Sequence, residues 1–238
     1  MIQKPSDLGY SDDGYILPKL KTKHITLESE KPDEGFLFAM EAQTLSERIR
    51  ARQNSIEDRA VEVARLVNNS TEQWIVWCNL NSEGDSIEKL CTDSVQVSGA
   101  NSNDRKIQVA RDFVSGKIRI LVSKVSIFGY GLNLQNCHNV VFFGLSDSYE
   151  DYYQAIRRCW RFGQNHDVNC YVVTADTEGA IVQNIQRKES DARKMALEMV
   201  KNMGAINTEN IHGAEKTVTK YNPKIEMKIP SWVYTKEN

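Results

Sequence analysis

Asn139-Val140-Val141-Phe142-Phe143, closed by Gly144 and followed after Ser148 by a helical pattern over residues 149–162, is the stretch on which the fold turns. Four successive apolar residues after Asn139 leave no polar face, so the run belongs to a strand covered on both sides, and the helix behind it supplies one of the covers. The same rhythm surrounds it. Trp74-Ile75-Val76-Trp77-Cys78, Ser94-Val95-Gln96-Val97, Ile118-Arg119-Ile120-Leu121-Val122 and Val168-Asn169-Cys170-Tyr171-Val172-Val173 are further β-rich runs, separated by helical stretches at 85–90, 104–114 and 149–162. Such alternation predicts an α/β unit over about residues 70–204, with a mainly parallel central sheet flanked by helices in three layers.

Outward from this unit the patterns change. Thr44-Leu45-Ser46-Glu47 reads as a capping box, and Leu45, Ile49, Ile56, Ala60, Val63 and Val67 form one helical stripe. This is one long helix or two joined near Asn54-Ser55, because Ser55-Ile56-Glu57-Asp58 can restart one. Residues 1–43 hold Pro5, Pro18 and Pro32 with several glycines and acids, and read as a linker whose one ordered piece is an edge strand between Lys19 and Leu27. A long helix follows Asp176-Thr177, with Ile181, Ile185, Ala192, Met195, Met199 and Met203 on one stripe, and is expected to stop at Gly204. Residues 205–238 read as a C-terminal tail, which gives three regions: 1–43, 44–204 and 205–238.

Composition excludes several classes. Hydrophobic residues at 40% and charged residues at 26% are globular values and exclude a wholly disordered or collagenous chain. No run approaches the ~20 apolar residues that span a bilayer, so no membrane partner is expected. Five cysteines without a Cys-x-x-Cys predict reduced thiols in a cytoplasmic protein and no zinc framework. His166 and Cys170 fall on a turn and a strand, which argues against a shared metal. A net charge of −2 gives no global sign of a polyanion partner, so any such partner must be met by local patches.

In an open parallel sheet, ligands meet the loops beyond the carboxyl ends of strands. Ser123-Lys124-Val125-Ser126-Ile127-Phe128-Gly129-Tyr130-Gly131-Leu132-Asn133-Leu134 follows one strand. Its two glycines suit either a tight turn or an anion-binding nest, with Lys124, Ser126 and Asn133 as added donors. Leu134 stands where a dinucleotide fingerprint needs a third glycine, and no G-x-x-x-x-G-K-[ST] loop occurs in the chain. The helix expected over 149–162 brings Gln154, Arg158 and Arg161 within roughly 60° of one another at ~100° per residue. These arginines either complement the helix dipole in water or face a polyanion shared with the glycine loop.

Gln154-Ala155-Ile156-Arg157-Arg158-Cys159-Trp160-Arg161-Phe162-Gly163-Gln164 resembles motif VI of superfamily 2 helicases in its Swi/Snf-like form, Q-A-x-x-R-x-x-R-x-G-Q, and Gly129-Tyr130-Gly131-Leu132-Asn133-Leu134 resembles motif V, G-x-G-[IL]-N-L. Trp74–Asn79 is similar to the motif IV strand, and the wording of motifs V and VI is closest to phage-encoded members. Phe128 and Ser126 depart from the pattern, standing where many relatives have glycine and arginine.

The resemblance implies the second of two RecA-like lobes in an ATP-driven DNA helicase or translocase, and the choice between DNA and RNA stays open. It implies Arg161 as an arginine finger with Arg158 beside it, Gln154, Gly129, Gly131 and Asn133 near the nucleotide, and Gly99, Lys124 and Ser126 near the nucleic-acid backbone. ATP with magnesium would be held chiefly by an N-terminal RecA-like lobe, so this chain is expected to be a monomer, silent on its own, in a cytoplasm that is the host's if the gene is phage-borne. The other expectation is a stand-alone binding module for nucleic acid or protein that keeps the lobe's shape without ATPase activity.

Overall fold

The structure, a computed structural model, describes residues 5–28 apart from residue 9, and residues 50–212 apart from residue 51. The expected capping box at 44–47, part of the expected linker and the tail beyond 212 lie outside these residues.

Among the described residues six strands form one sheet: β1 (Leu20–Leu27), β2 (Trp74–Cys78), β3 (Ser94–Val97), β4 (Ile120–Lys124), β5 (Asn139–Phe143) and β6 (Val168–Ala175). Their order is β1-β6-β5-β2-β4-β3, and all five pairings are parallel. The helices are α1 (Ile56–Asn68), α2 (Asn81–Leu90), α3 (Asn103–Val114), the single turn α4 (Val125–Phe128), α5 (Tyr149–Ile156) and α6 (Gly179–His212).

The pleat sorts the core into two layers. Ile75, Trp77, Leu121, Val140, Phe142, Cys170 and Val172 pack with Val109 and Phe113 of α3, Tyr152 and Ile156 of α5, and Ile181 and Ile185 of α6. Trp74, Val76, Val122, Val141, Phe143 and Val173 point the other way onto Ala60, Val63 and Val67 of α1 and Ile87 of α2. Successive side chains of a strand face opposite sides, so continuous apolar runs become two buried faces, and the expected three-layer α/β architecture follows. All five cysteines are free and buried in these layers. Burial pushes the Cys78 and Cys170 thiols up to about 12, which leaves them inert near neutral pH.

Two helix ends differ from expectation. α5 stops at Ile156, six residues short of Phe162. The Arg158 and Cys159 N–H groups fall back onto carbonyls three residues behind them, which tightens the last turn. Trp160 is then pulled aside by its indole N–H, which donates to the Pro18 carbonyl at 2.7 Å, and Gly163 reverses the chain at φ 91°. At the other end α6 runs through Gly204 to His212. A glycine inside a helix costs only ~1 kcal/mol relative to alanine, so it need not end one.

At the carboxyl ends of β2, β5 and β6 lies a buried group of four ions. Glu83 of α2 is fully buried, and its Oε1 accepts from both terminal nitrogens of Arg59 at 3.2 and 3.3 Å. Its Oε2 accepts from the backbone N–H groups of Asn79 and Leu80 at 2.7 and 3.0 Å, fixing the turn that leaves β2. Glu178 accepts from Ala175 N–H at 3.1 Å and from Arg52 Nε at 3.1 Å. Arg52 donates to the Leu145 carbonyl, and Arg59 lies over the Phe143 ring. The cluster therefore fixes the loops that leave three adjacent strands.

The candidate site: a glycine loop and an arginine turn

The first group of predicted residues sits at the carboxyl edge. Val97 of β3 is in register with Ser123 of β4, and Lys124 with Cys78 of β2, so Gly99 and Lys124 follow neighbouring strands. Gly99 is open, with no atom near the place a side chain would occupy, and Lys106 Nζ reaches its carbonyl at 3.4 Å. The Lys124 ammonium has no hydrogen-bond or ion-pair partner among the described residues, and Ser126 is exposed. A small pocket lies beside Val125 where the chain switches from β2 outward in both directions, lined by Trp77, Asn79, Val125, Leu145, Ser146 and Asp151 among others.

The glycine loop leaves this edge through α4. Gly129 N–H donates to the Val125 carbonyl at 2.7 Å, and a methyl group on Gly129 would overlap that carbonyl and the Val125 side chain. Gly131 has φ 78° and open space around it. The two glycines therefore serve different ends, the first close approach and the second a left-handed turn. Gly129→Ala is expected to cost ~1–3 kcal/mol because backbone cannot give way, and Gly131→Ala ~1–2 kcal/mol from conformation alone. Urea unfolding of the two variants measures both; equal, negligible shifts would remove this account.

Past Gly131 the loop meets the arginine turn. Arg158 Nη1 donates to the Leu132 carbonyl, its Nη2 to Gln154 Oε1 and its Nε to the Gln154 carbonyl, each at 3.1 Å. Leu134 N–H donates back to the Arg158 carbonyl at 3.0 Å. The Gln164 amide donates to the carbonyls of Gln135 and Cys137 at 2.9 and 3.2 Å, and Gln135 donates to the Phe162 carbonyl. Asn133 bonds Gln135 rather than the turn, at 3.1 Å. Gln154 and Arg158 are thus joined as expected, by a folded turn instead of a shared helical face.

The charges complete the picture. Neither Arg158 nor Arg161 pairs with a carboxylate among the described residues, and Arg161's guanidinium has no hydrogen-bond partner there. Arg157 lies against the rings of Trp160, Tyr153 and Phe162 at 5.4 to 5.9 Å. Partial burial, then the nearby Arg161 and Arg157, hold the Arg158 pKa below its ordinary value. Three guanidinium groups thus gather at one turn without an acidic partner among the described residues, a charge that favours anions.

The position is only partly the one expected. The arginine turn bonds residues that lead into β5, and Trp160 bonds Pro18 just before β1, so the turn lies toward the amino ends of the strands. Loop and α5 run side by side from one edge to the other. Sequence reasoning missed Arg157, Tyr130 and Gln135 at the site and the ions behind it; Arg59, a charge within the apolar stripe of α1, was a usable signal.

Residues 58–163 match the family described as helicase conserved C-terminal domain. The matched span carries the glycine loop and the arginine turn, while β1, β6 and α6 lie outside it. The chain is similar to an ATP-dependent RNA helicase of Kluyveromyces lactis, 31% identical over 96 residues, 39% of this chain and 24% of that protein. It is similar to an ATP-dependent DNA helicase of Arabidopsis thaliana, 33% identical over 94 residues, 38% of this chain and 10% of that protein. With an ATP-dependent RNA helicase of Mus musculus it is 26% identical over 148 residues, 60% of this chain and 20% of that protein. The chain thus spans a quarter or less of the length of these relatives. Among solved structures, the C-terminal part of the Fun30 ATPase domain aligns over 53% of this chain and 44% of that one, at 21% identity and a TM-score of 0.49. A DEAD box protein from Methanococcus jannaschii aligns over 55% and 36%, at 21% identity and 0.48.

Proposed function

We propose that the chain is the C-terminal motor lobe of a cytoplasmic ATP-dependent DNA helicase or translocase, of the Swi/Snf-like, phage type, and that it works only against an N-terminal RecA-like lobe. The observation that carries this reading is the cluster of Arg157, Arg158 and Arg161, without a carboxylate among the described residues and bonded to the glycine loop. In phosphoryl transfer the charge spreads over phosphate oxygens, and a fixed planar cation stabilises it. Arg161 supplies that cation, because its guanidinium is not spent inside the domain. Arg158 holds the turn by its bonds to Leu132 and Gln154 and adds field from behind.

The residues of this site are cations, amides and backbone N–H groups, which fit phosphate and do not fit magnesium. The ion belongs to acidic groups of the other lobe, where it would neutralise phosphate charge. Gly99, Lys124 and Ser126 at the carboxyl edge suit a nucleic-acid backbone, in contacts that ignore sequence and weaken with salt. Five buried free thiols are in keeping with a reducing compartment.

ATP turnover tests the reading, measured with the chain alone and with the chain joined to an amino-terminal lobe that carries a G-x-x-x-x-G-K-[ST] loop. Turnover is expected only in the joined protein and is expected to rise with DNA; RNA added in parallel decides the polymer. Turnover by the chain alone, or turnover indifferent to either polymer, would overturn the proposal.

A further inference from the structure

The glycine loop and the helix beside it are tied twice. On the inner side Arg158 holds the Leu132 carbonyl. On the outer side the Tyr130 hydroxyl donates to Asp151 Oδ1 at 2.6 Å. Tyr130 is the residue between the two glycines, and Asp151 lies in the first turn of α5, its N–H donating to Ser148 Oγ at 3.1 Å. One turn further along, Gln154 holds Arg158. Residues 130 and 132 of the loop and 151, 154 and 158 of the helix and its turn therefore close a ring.

The ring spans the two parts of the site. Asp151 lines the pocket at the carboxyl edge with Asn79 and Val125, next to Lys124, while Arg158 sits at the far end of α5. Tyr130 is 44% exposed, so its contact with Asp151 is not forced by core packing. The carboxylate raises the phenol to about 12, and the donor proton stays in place through the neutral range.

We propose that Tyr130 and Asp151 are positioning residues whose hydrogen bond carries the effect of nucleic acid at the carboxyl edge to the placement of Arg161, so that it sets the stimulated turnover rate. This rests on the motor reading above. Solvent can satisfy both groups when the bond is removed, so the fold keeps its stability.

The test uses Tyr130→Phe, Asp151→Ala, their double variant and Asp151→Asn in the joined protein. The expected result is an about tenfold loss of nucleic-acid-stimulated kcat in Tyr130→Phe, the size of one charge-assisted hydrogen bond, with KM for ATP and thermal midpoint unchanged. Asp151→Ala should match it, the double variant should be no worse, and Asp151→Asn, which keeps an acceptor oxygen, should recover part of the rate. Wild-type stimulation in Tyr130→Phe, additive losses, or a fall that follows a lowered midpoint would overturn the proposal. Amide exchange of Leu132 and Leu134 in the chain alone separates the two readings. If the wild type shows no stimulated turnover, the motor reading fails, and exchange unchanged by Tyr130→Phe overturns the positioning role as well.

Discussion

Arg161→Ala is expected to lower nucleic-acid-stimulated kcat by ~10³-fold or more in the joined protein, the range in which arginine fingers act on phosphoryl transfer. The KM for ATP should move little, because binding is the task of the other lobe and this guanidinium is needed where charge develops. Arg161→Lys should fail nearly as badly, since an ammonium cannot reproduce the planar fork. Arg158→Ala is a different experiment. It removes the bonds to the Leu132 carbonyl, the Gln154 carbonyl and Gln154 Oε1, so it loosens the glycine loop as well as the field. Its thermal midpoint should fall while that of Arg161→Ala stays, because Arg161 has no side-chain partner among the described residues. A turnover number for Arg161→Ala within a few-fold of wild type would transfer the finger's role elsewhere in the turn.

The second large effect concerns stability. Glu83→Ala is expected to cost ~3 kcal/mol, toward the lower end of the penalty for breaking a buried ion pair, because Arg59 loses its nearer carboxylate and keeps only Glu178 at 3.7 Å. Arg59 is fully buried between Glu83, Ser55 and the Phe143 ring and cannot turn to solvent. The same change takes the acceptor from the Asn79 and Leu80 N–H groups. Against a total of about 5–15 kcal/mol for an ordinary domain, that is a large share of the stability. Urea titration of the chain by far-ultraviolet circular dichroism reads the midpoint. The double change Arg59→Met with Glu83→Leu should recover part of the loss, because neither member of the ion pair is left alone, while the Asn79 and Leu80 N–H groups stay without their acceptor. A double variant as weak as Glu83→Ala would show that the backbone contacts, not the ion pair, dominate. Gly144 belongs to the same cluster: its φ is 82°, and an added methyl would stand 2.9 Å from Arg59 Nη1.

The sheet was legible for a physical reason. A parallel strand covered on both faces has no place for polar residues, so runs such as Trp74–Cys78 and Asn139–Phe143 stand out from their surroundings. The restart of α1 at Ser55 was legible too, since Ser55 occupies the capping position. The end of α5 was not. The pattern 154–161 keeps helical spacing, yet the turn tightens at Arg158 and Cys159 and its side chains bond residues far away in sequence, Trp160 to Pro18 and Arg158 to Leu132. Distance of that kind also hid the ions: Arg52, Arg59, Glu83 and Glu178 are ordinary surface types in composition, and only tertiary structure brings them under one roof. At the turn, Gln154, Arg158 and Arg161 stood out by type and spacing, yet the bonds Arg158 makes could not be read, because its acceptors are mostly carbonyl oxygens that every sequence carries.

The first strand of the sheet comes from the other side of a long excursion. β1 pairs along its whole length with β6, Leu20 with Val168 through to Leu27 with Ala175. A protein cut at residue 44 would leave β6 as a bare margin, its donors and acceptors free to recruit a second molecule. Lys23 on β1, beside a Lys21 that pairs with Asp167 at 2.9 Å, supplies charge that discourages such stacking in the intact chain. Solubility, and not only shape, is therefore written into the short stretch of chain that precedes the domain.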